Sequence, residues 1–114
     1  GGRVSNAAYL GAKILSLNPL IELLDGQLKA TKKYRGKMEK VALELLKEFP
    51  AVNKLSKEIL VFVYSEGLKD SIRQSVTAQA RDMGFREILW VPTGGVVTTH
   101  CGPGGFGVCG VSEE

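Results

Sequence analysis

Six consecutive apolar residues, Ile59-Leu60-Val61-Phe62-Val63-Tyr64, constrain this chain more than any other stretch. The run is rich in β-branched residues and too short for a buried helix, so it reads as a strand. It is also the longest wholly apolar run, and far too short to cross a bilayer. A strand apolar on both sides belongs in the middle of a sheet, with cover expected on each face. The chain must therefore build layers around this run.

Two amphipathic helices can supply one layer. Met38, Val41, Ala42, Leu45, Leu46 and Phe49 recur at helical spacing within residues 35–49, with Pro50 and Asn53 as the expected stop. Leu68, Ile72, Val76, Ala80 and Met83 mark a second helix, closed by Gly84 in the left-handed conformation. Asp25-Gly26 between two short β-prone runs, residues 20–24 and 27–31, signals a hairpin. Further strands are expected at residues 88–91, 96–99 and 105–111, with a turn over residues 92–95.

The start reads differently. Ser5 or Asn6 can cap a helix running to about Leu17 and stopped by Pro19. That helix would carry one charge, Lys13, and no polar face, which is the pattern of a buried helix. In so small a domain a sheet covers only one side of it. The other side is expected to meet another domain or a second copy of the chain, so the sequence reads as a fragment able to self-associate through this helix. The expected fold is α+β or mixed α/β, with a mostly antiparallel or mixed sheet and helices packed on one face.

The chain's 114 residues make one domain, residues 1–114. A net charge of +3 is too mild to define a partner class. Cys101 and Cys109 fit neither a CxxC nor a zinc spacing. With no leader pattern, both thiols are expected to be reduced in a cytoplasm.

The remaining site-like stretch is Thr98-Thr99-His100-Cys101-Gly102-Pro103-Gly104-Gly105-Phe106-Gly107. It holds the only histidine and four of the fourteen glycines. Proline fixes φ between residues that lack a Cβ, so Gly102, Pro103 and Gly104 read as a tight corner with exposed peptide N–H groups. Thr99 and His100 stand at its mouth. His100 cannot build a metal site, since no second histidine exists and no acidic pair sits at ligand spacing. Cys101 as a nucleophile with His100 as its base is disfavoured, because adjacent strand residues point to opposite faces. The glycines resemble a phosphate cradle, yet match neither a P-loop nor a dinucleotide fingerprint. An anion on the N–H groups and a plain tight hairpin both remain open readings.

Lys29, Lys32, Lys33, Arg35, Lys37 and Lys40 form a basic run with Glu39 its only acid. Solvated surface is the simple reading and a dock for an acidic protein the alternative. Nucleic acid is not expected, as no aromatics are interleaved for stacking. Arg3, after two glycines, is either a terminal side chain or a guanidinium within reach of an anion.

Several of these residues together resemble the C-terminal domain of DegV family proteins. Gly1-Gly2-Arg3-Val4-Ser5 precedes the expected apolar helix, and Asn18-Pro19-Leu20 leads into the Asp-Gly hairpin. Thr99-His100-Cys101-Gly102-Pro103-Gly104 is similar to the family's Thr-His-x-Gly-Pro-Gly signature, followed by Gly105-Phe106-Gly107. Order and spacing agree over nearly all of the chain. The resemblance implies a lipid-binding module, not an enzyme, with no cofactor and no metal. Its ligand would be a long-chain fatty acid such as palmitate or oleate, held between two domains of which the N-terminal one is missing here. Arg3, Thr99 and His100 would lie near the carboxylate, and a fatty acid kinase would be the partner that receives the ligand. A phosphate- or nucleotide-binding module using the Gly-Pro-Gly corner, or a small enzyme using His100 or Cys101, are the competing readings.

Overall fold

The computed structural model describes residues 4–10, 17–24, 27–92 and 105–112. Its elements are β1 (Val4–Leu10), β2 (Leu17–Leu24), β3 (Gln27–Arg35), α1 (Met38–Asn53), β4 (Leu55–Tyr64), α2 (Asp70–Asp82), β5 (Glu87–Pro92) and β6 (Phe106–Ser112). The strands form one six-stranded sheet in the order β3-β2-β1-β6-β4-β5. Only β4 and β5 run parallel; every other pair is antiparallel. The sheet is therefore mixed, as expected, with β4 between β6 and β5.

The hairpin forms, with Leu24 opposite Gln27 where the arms close, but its arms are longer than the β-prone runs. Pro19 sits inside β2 rather than before it. It pairs with Lys33 of β3, and the register with β1 covers only Leu20, Ile21 and Glu22, so its missing N–H breaks no ladder on the β1 side. β3 is an outer strand of the sheet. The lysines of the basic run thus lie on or beside a sheet edge, where charge blocks pairing with another chain.

The first segment corrects the sequence reading. Val4–Leu10 is a strand with β2 on one side and β6 on the other, not the start of a helix over residues 5–17. A segment of small and apolar residues carries no clear period, and a few tenths of a kcal/mol per residue of helix propensity yield to two hydrogen-bonded ladders.

α1 begins at Met38, later than expected, because Gly36 takes φ +114° and breaks the chain direction after β3. It also continues through Pro50 to Asn53. Pro50 is buried, and the packing of that last turn offsets the lost helical hydrogen bond. Asn53 Nδ2 donates to the Phe49 carbonyl at 3.0 Å, holding the final turn. α2 ends as predicted, with Gly84 at φ +97°.

Both helices pack on one face of the sheet. Val41, Ala42, Leu45, Leu46 and Phe49 from α1 join Ile72, Val76 and Ala80 from α2 over Leu60, Phe62, Phe106 and Val108. Tyr34 reaches this layer from β3, and its hydroxyl donates to Glu48 Oε2 at 3.1 Å. Phe62 is fully buried, with ring centroids 4.6 Å from Trp90 and 5.4 Å from Phe106.

The opposite face departs from expectation. Ile59, Val61 and Val63 of β4 are only half-buried, while Leu89 and Val91 of β5 are 42% and 44% exposed. The apolar run is a central strand, but the described residues cover one of its faces only.

Candidate functional site

Three strand ends meet at Tyr64. Tyr64 is the register partner of Pro92, where β5 ends, and of Phe106, where β6 begins. The segment between them, residues 93–104, therefore leaves and returns within two strand spacings, roughly 10 Å. Thr99, His100, Cys101, Gly102, Pro103 and Gly104 belong to that segment and lie outside the described residues, as does Arg3.

The residue that leads out of that segment is fixed. Gly105, the residue after Gly104, donates its N–H to Ser65 Oγ at 2.6 Å, and its carbonyl accepts the Ser65 N–H at 3.1 Å. Ser65 is buried, 3% exposed. Gly105 is thereby held by both its N–H and its carbonyl, just past the last register pair of β4 and β6. Sequence reading stopped at Tyr64 and missed Ser65. The available signal was a small polar residue directly after an apolar strand.

Val4, the residue after Arg3, pairs with Val111, whereas Gly105 leads into Phe106 at the other end of β6. Those two register positions are separated by roughly 17 Å of strand. The structure thus brings the entry and exit of the Thr99–His100 segment together and sets the neighbour of Arg3 at the far end of the sheet.

Apolar side chains line the surface between those two ends. Ile59, Val61 and Val63 stand beside Leu89 and Val91 on one side and Cys109 and Val111 on the other, all on the face away from the helices. Strand alternation places them there together. Seven apolar residues on one open sheet face exceed what scattered surface hydrophobes explain. Cys109 is a free, half-buried thiol, and burial pushes its pKa up, so it is not poised as a nucleophile.

A second concavity, about 490 Å³, runs along α2 beside Trp90. Asp70, Arg73, Gln74, Thr77 and Arg81 line it together with Ala78 and Trp90. Arg73 stacks over the rings of Tyr64 and Trp90, 4.3 and 5.2 Å from their centroids, and the Trp90 indole N–H donates to Thr77 Oγ1 at 2.8 Å. These contacts close the aromatic layer above Phe62 and do not form a reactive group. Among the described residues there is no cluster of three or more metal-ligating side chains. Nor is any described helix long and apolar enough to cross a membrane.

An open apolar sheet face whose strand ends flank residues 93–104 is the geometry to compare with known proteins. The pattern of the DegV family, described as uncharacterised proteins, matches residues 1–113. The chain belongs to the DegV family. A DegV domain-containing protein of Deinococcus radiodurans is 32% identical over 109 residues, which is 94% of this chain and 38% of that protein. Three solved structures share the fold. The Fatty Acid Kinase (Fak) B3 protein of Streptococcus pneumoniae, loaded with linoleic acid, superposes with TM-score 0.79 at 14% identity, over 96% of this chain and 45% of that one. A DegV family protein of Eubacterium eligens loaded with heptadecanoic acid gives 0.75 at 13% identity, over 95% and 45%. A Thermotoga maritima protein described as revealing fatty acid binding function gives 0.70 at 21% identity, over 93% and 42%. This DegV chain thus spans less than half the length of the relatives it matches.

Proposed function

We propose that this chain is half of a long-chain fatty-acid carrier, binding the acyl group and performing no chemistry on it. The observation that carries the reading is the open apolar face. It is wide enough to lie along a saturated tail, and it runs to the strand ends from which the Thr99–His100 segment departs. The fatty acids held by the solved relatives support the ligand class. The missing half of the longer relatives would cover the tail from the other side. The Fak B3 likeness supports a fatty acid kinase as the partner that receives the head group.

Magnitudes divide the labour between tail and head. Burying a methylene contributes roughly 0.8 kcal/mol. Even at half that yield, about fourteen methylenes outweigh one charge-assisted hydrogen bond of about 1.5–3 kcal/mol. The tail sets affinity. The head group's partners set selection and orientation, since a buried unpaired carboxylate is expelled. His100 donates to the carboxylate, or to the acyl phosphate made from it, and Thr99 holds the geometry through its hydroxyl. Arg3 contributes positive charge at long range, in keeping with an anchor at the far end of β6. Alone, the 114-residue chain is expected to bind palmitate or oleate weakly and to pair with itself through the open face rather than through a helix.

Calorimetric titration of the full-length protein with palmitate, a shorter acid and their methyl esters tests this. His100→Ala should lower affinity for the acids roughly ten- to a hundredfold, leave the dependence on chain length intact and shrink the preference for acid over ester. Arg3→Ala should do the same to a smaller extent. If His100→Ala leaves the acid-over-ester preference unchanged, His100 is not a head-group residue and the Gly-Pro-Gly stretch is only a turn.

A further inference from the structure

We infer that the groove between α2 and Trp90 is the dock for an acidic segment of the kinase that receives the acyl group. The inference rests on the proposed hand-over to such a partner. Arg73, Gln74, Thr77 and Arg81 line one wall and Trp90 of β5 the other, around about 490 Å³. Residues at those steps share one side of a helix, and Arg73 to Arg81 spans roughly 12 Å of it. Arginine and tryptophan are the side chains that most often anchor protein interfaces. Both are set for contact here. The indole N–H of Trp90 already donates to Thr77 Oγ1 at 2.8 Å, so what Trp90 offers a partner is its ring. The Arg73 guanidinium lies over the Tyr64 and Trp90 rings, 4.3 and 5.2 Å from their centroids, which holds it in place before anything binds.

Charge decides the occupant. Arg73 meets one carboxylate, Asp70, through a single Nη at 3.6 Å, and the Asp70 side chain is 85% exposed, so the pair is weak. Arg73 Nε is buried and has no hydrogen-bond partner among the described residues. A donor that the fold leaves unpaired calls for an acceptor, and a carboxylate suits a guanidinium fork better than a neutral group does. Arg81 is exposed and makes no ion pair among the described residues. No acid lies between Asp70 and Asp82 on α2, so the middle of the stripe carries positive charge alone. Two cations on one rigid helix match two carboxylates on a partner segment. The position also fits the hand-over. Tyr64, beneath Arg73, is the residue at which the ends of β4, β5 and β6 meet. Phe62, Trp90 and Phe106 lie on the helix side with the groove, opposite Val61, Val63 and Leu89. A partner seated on α2 therefore reaches the strand ends at Tyr64 without displacing a tail from the open face.

The test uses the full-length protein loaded with palmitate and reads acyl phosphate formation by the cognate fatty acid kinase against carrier concentration. Arg81→Glu should raise the carrier's KM about tenfold, with kcat and palmitate affinity those of the parent. Gln74→Glu adds a negative charge to the groove without removing an ion pair, and should raise KM about threefold. Arg81→Lys keeps the charge and should stay within about twofold of the parent. Added salt should weaken the parent more than Arg81→Glu, since screening removes an attraction that the variant has already lost. Lys47→Glu makes the same charge change as Arg81→Glu at an exposed position of α1 and should leave KM unchanged. An unchanged KM in either Arg81→Glu or Gln74→Glu, an equal rise in Lys47→Glu, or a palmitate affinity that falls in step with KM overturns the dock. A parent protein that binds palmitate but is no substrate for the kinase sinks the hand-over reading, and this inference with it. That failure appears in the parent alone, before any variant is compared.

Discussion

The two faces of this sheet are built from the same strands and do opposite things. On the helix side, Leu60 and Phe62 of β4 are fully buried beneath α1 and α2. One residue along, Ile59, Val61 and Val63 of the same strand are apolar too, yet only half-buried. A chain selected only for its own stability would place polar residues on the second face, as half-exposed antiparallel sheets do. Apolar side chains there lower solubility without adding to this domain's core. Their presence fits contact with something beyond the described residues, and a fatty acyl tail is the occupant proposed above.

The comparison can be broken most directly with two alanines. Phe62→Ala removes a fully buried ring that touches Trp90 and Phe106, and should cost about 3–5 kcal/mol. Val61→Ala, its neighbour on the open face, should cost under about 1 kcal/mol, since less area leaves contact. Denaturant unfolding of the two variants measures the difference. In full-length protein the ranking for palmitate affinity should reverse, with Val61→Ala affecting binding more per kcal/mol of stability lost. Equal destabilisation by both would mean that the two faces are equally covered.

A subtler asymmetry lies at the far end of β6. An ideal Cβ on Gly110 would sit 2.7 Å from Leu55 Cδ1, and Leu55 is buried on the helix side, so the leucine must shift inside a packed layer. Gly110→Ala is expected to cost about 1–3 kcal/mol by overpacking. The melting temperature of Gly110→Ala alone, and of Gly110→Ala with Leu55→Ala, measures it. The second substitution should relieve the clash, so the pair should cost less than the sum of the two. Strict additivity would place the strain elsewhere.

What could be read from residues alone follows from how far apart the interacting groups lie. The hairpin was legible because Asp25-Gly26 carries its own turn chemistry, and both helices because their periods repeat within a single element. The sheet's mixed character and the side taken by the helices followed from the same periods. The first strand was not legible: Val4–Leu10 has no period of its own, and its partners lie in β2 and β6, the latter near the opposite end of the chain. Pro50 misled in a similar way, since its helix-breaking tendency is local and the burial that overrides it is not. Ser65 could not be paired with Gly105 across forty residues by any local rule. The open face was half legible. Its apolar residues were plain in the run from Ile59 to Tyr64, but whether anything covers them is a property of the whole fold. Of the proposed site, the Thr-His and Gly-Pro-Gly residues were singled out by their chemistry alone, and they lie outside the described residues.

Cys109 offers the finest test of the same comparison, because it is a titratable reporter on the open face. Burial pushes its thiol up, and no described group counters that. The folded chain therefore keeps the thiol neutral at a pH where the unfolded chain has begun to ionise it. Its contribution to stability is complete below the unfolded thiol's pKa of about 8.5 and declines as pH rises from there through the folded value. Cys109→Ala should remove that alkaline decline, an effect smaller than either substitution above. The same thiol should react slowly with iodoacetamide at pH 8, since the thiolate is the nucleophile. In a Cys101→Ser background of the full-length protein, palmitate should slow the reaction further, because a tail lying along Val61, Val63 and Leu89 also passes beside Cys109. A thiol that reacts at the rate of free cysteine, with or without palmitate, would place the acyl chain on some other surface and leave the open face without the occupant proposed for it.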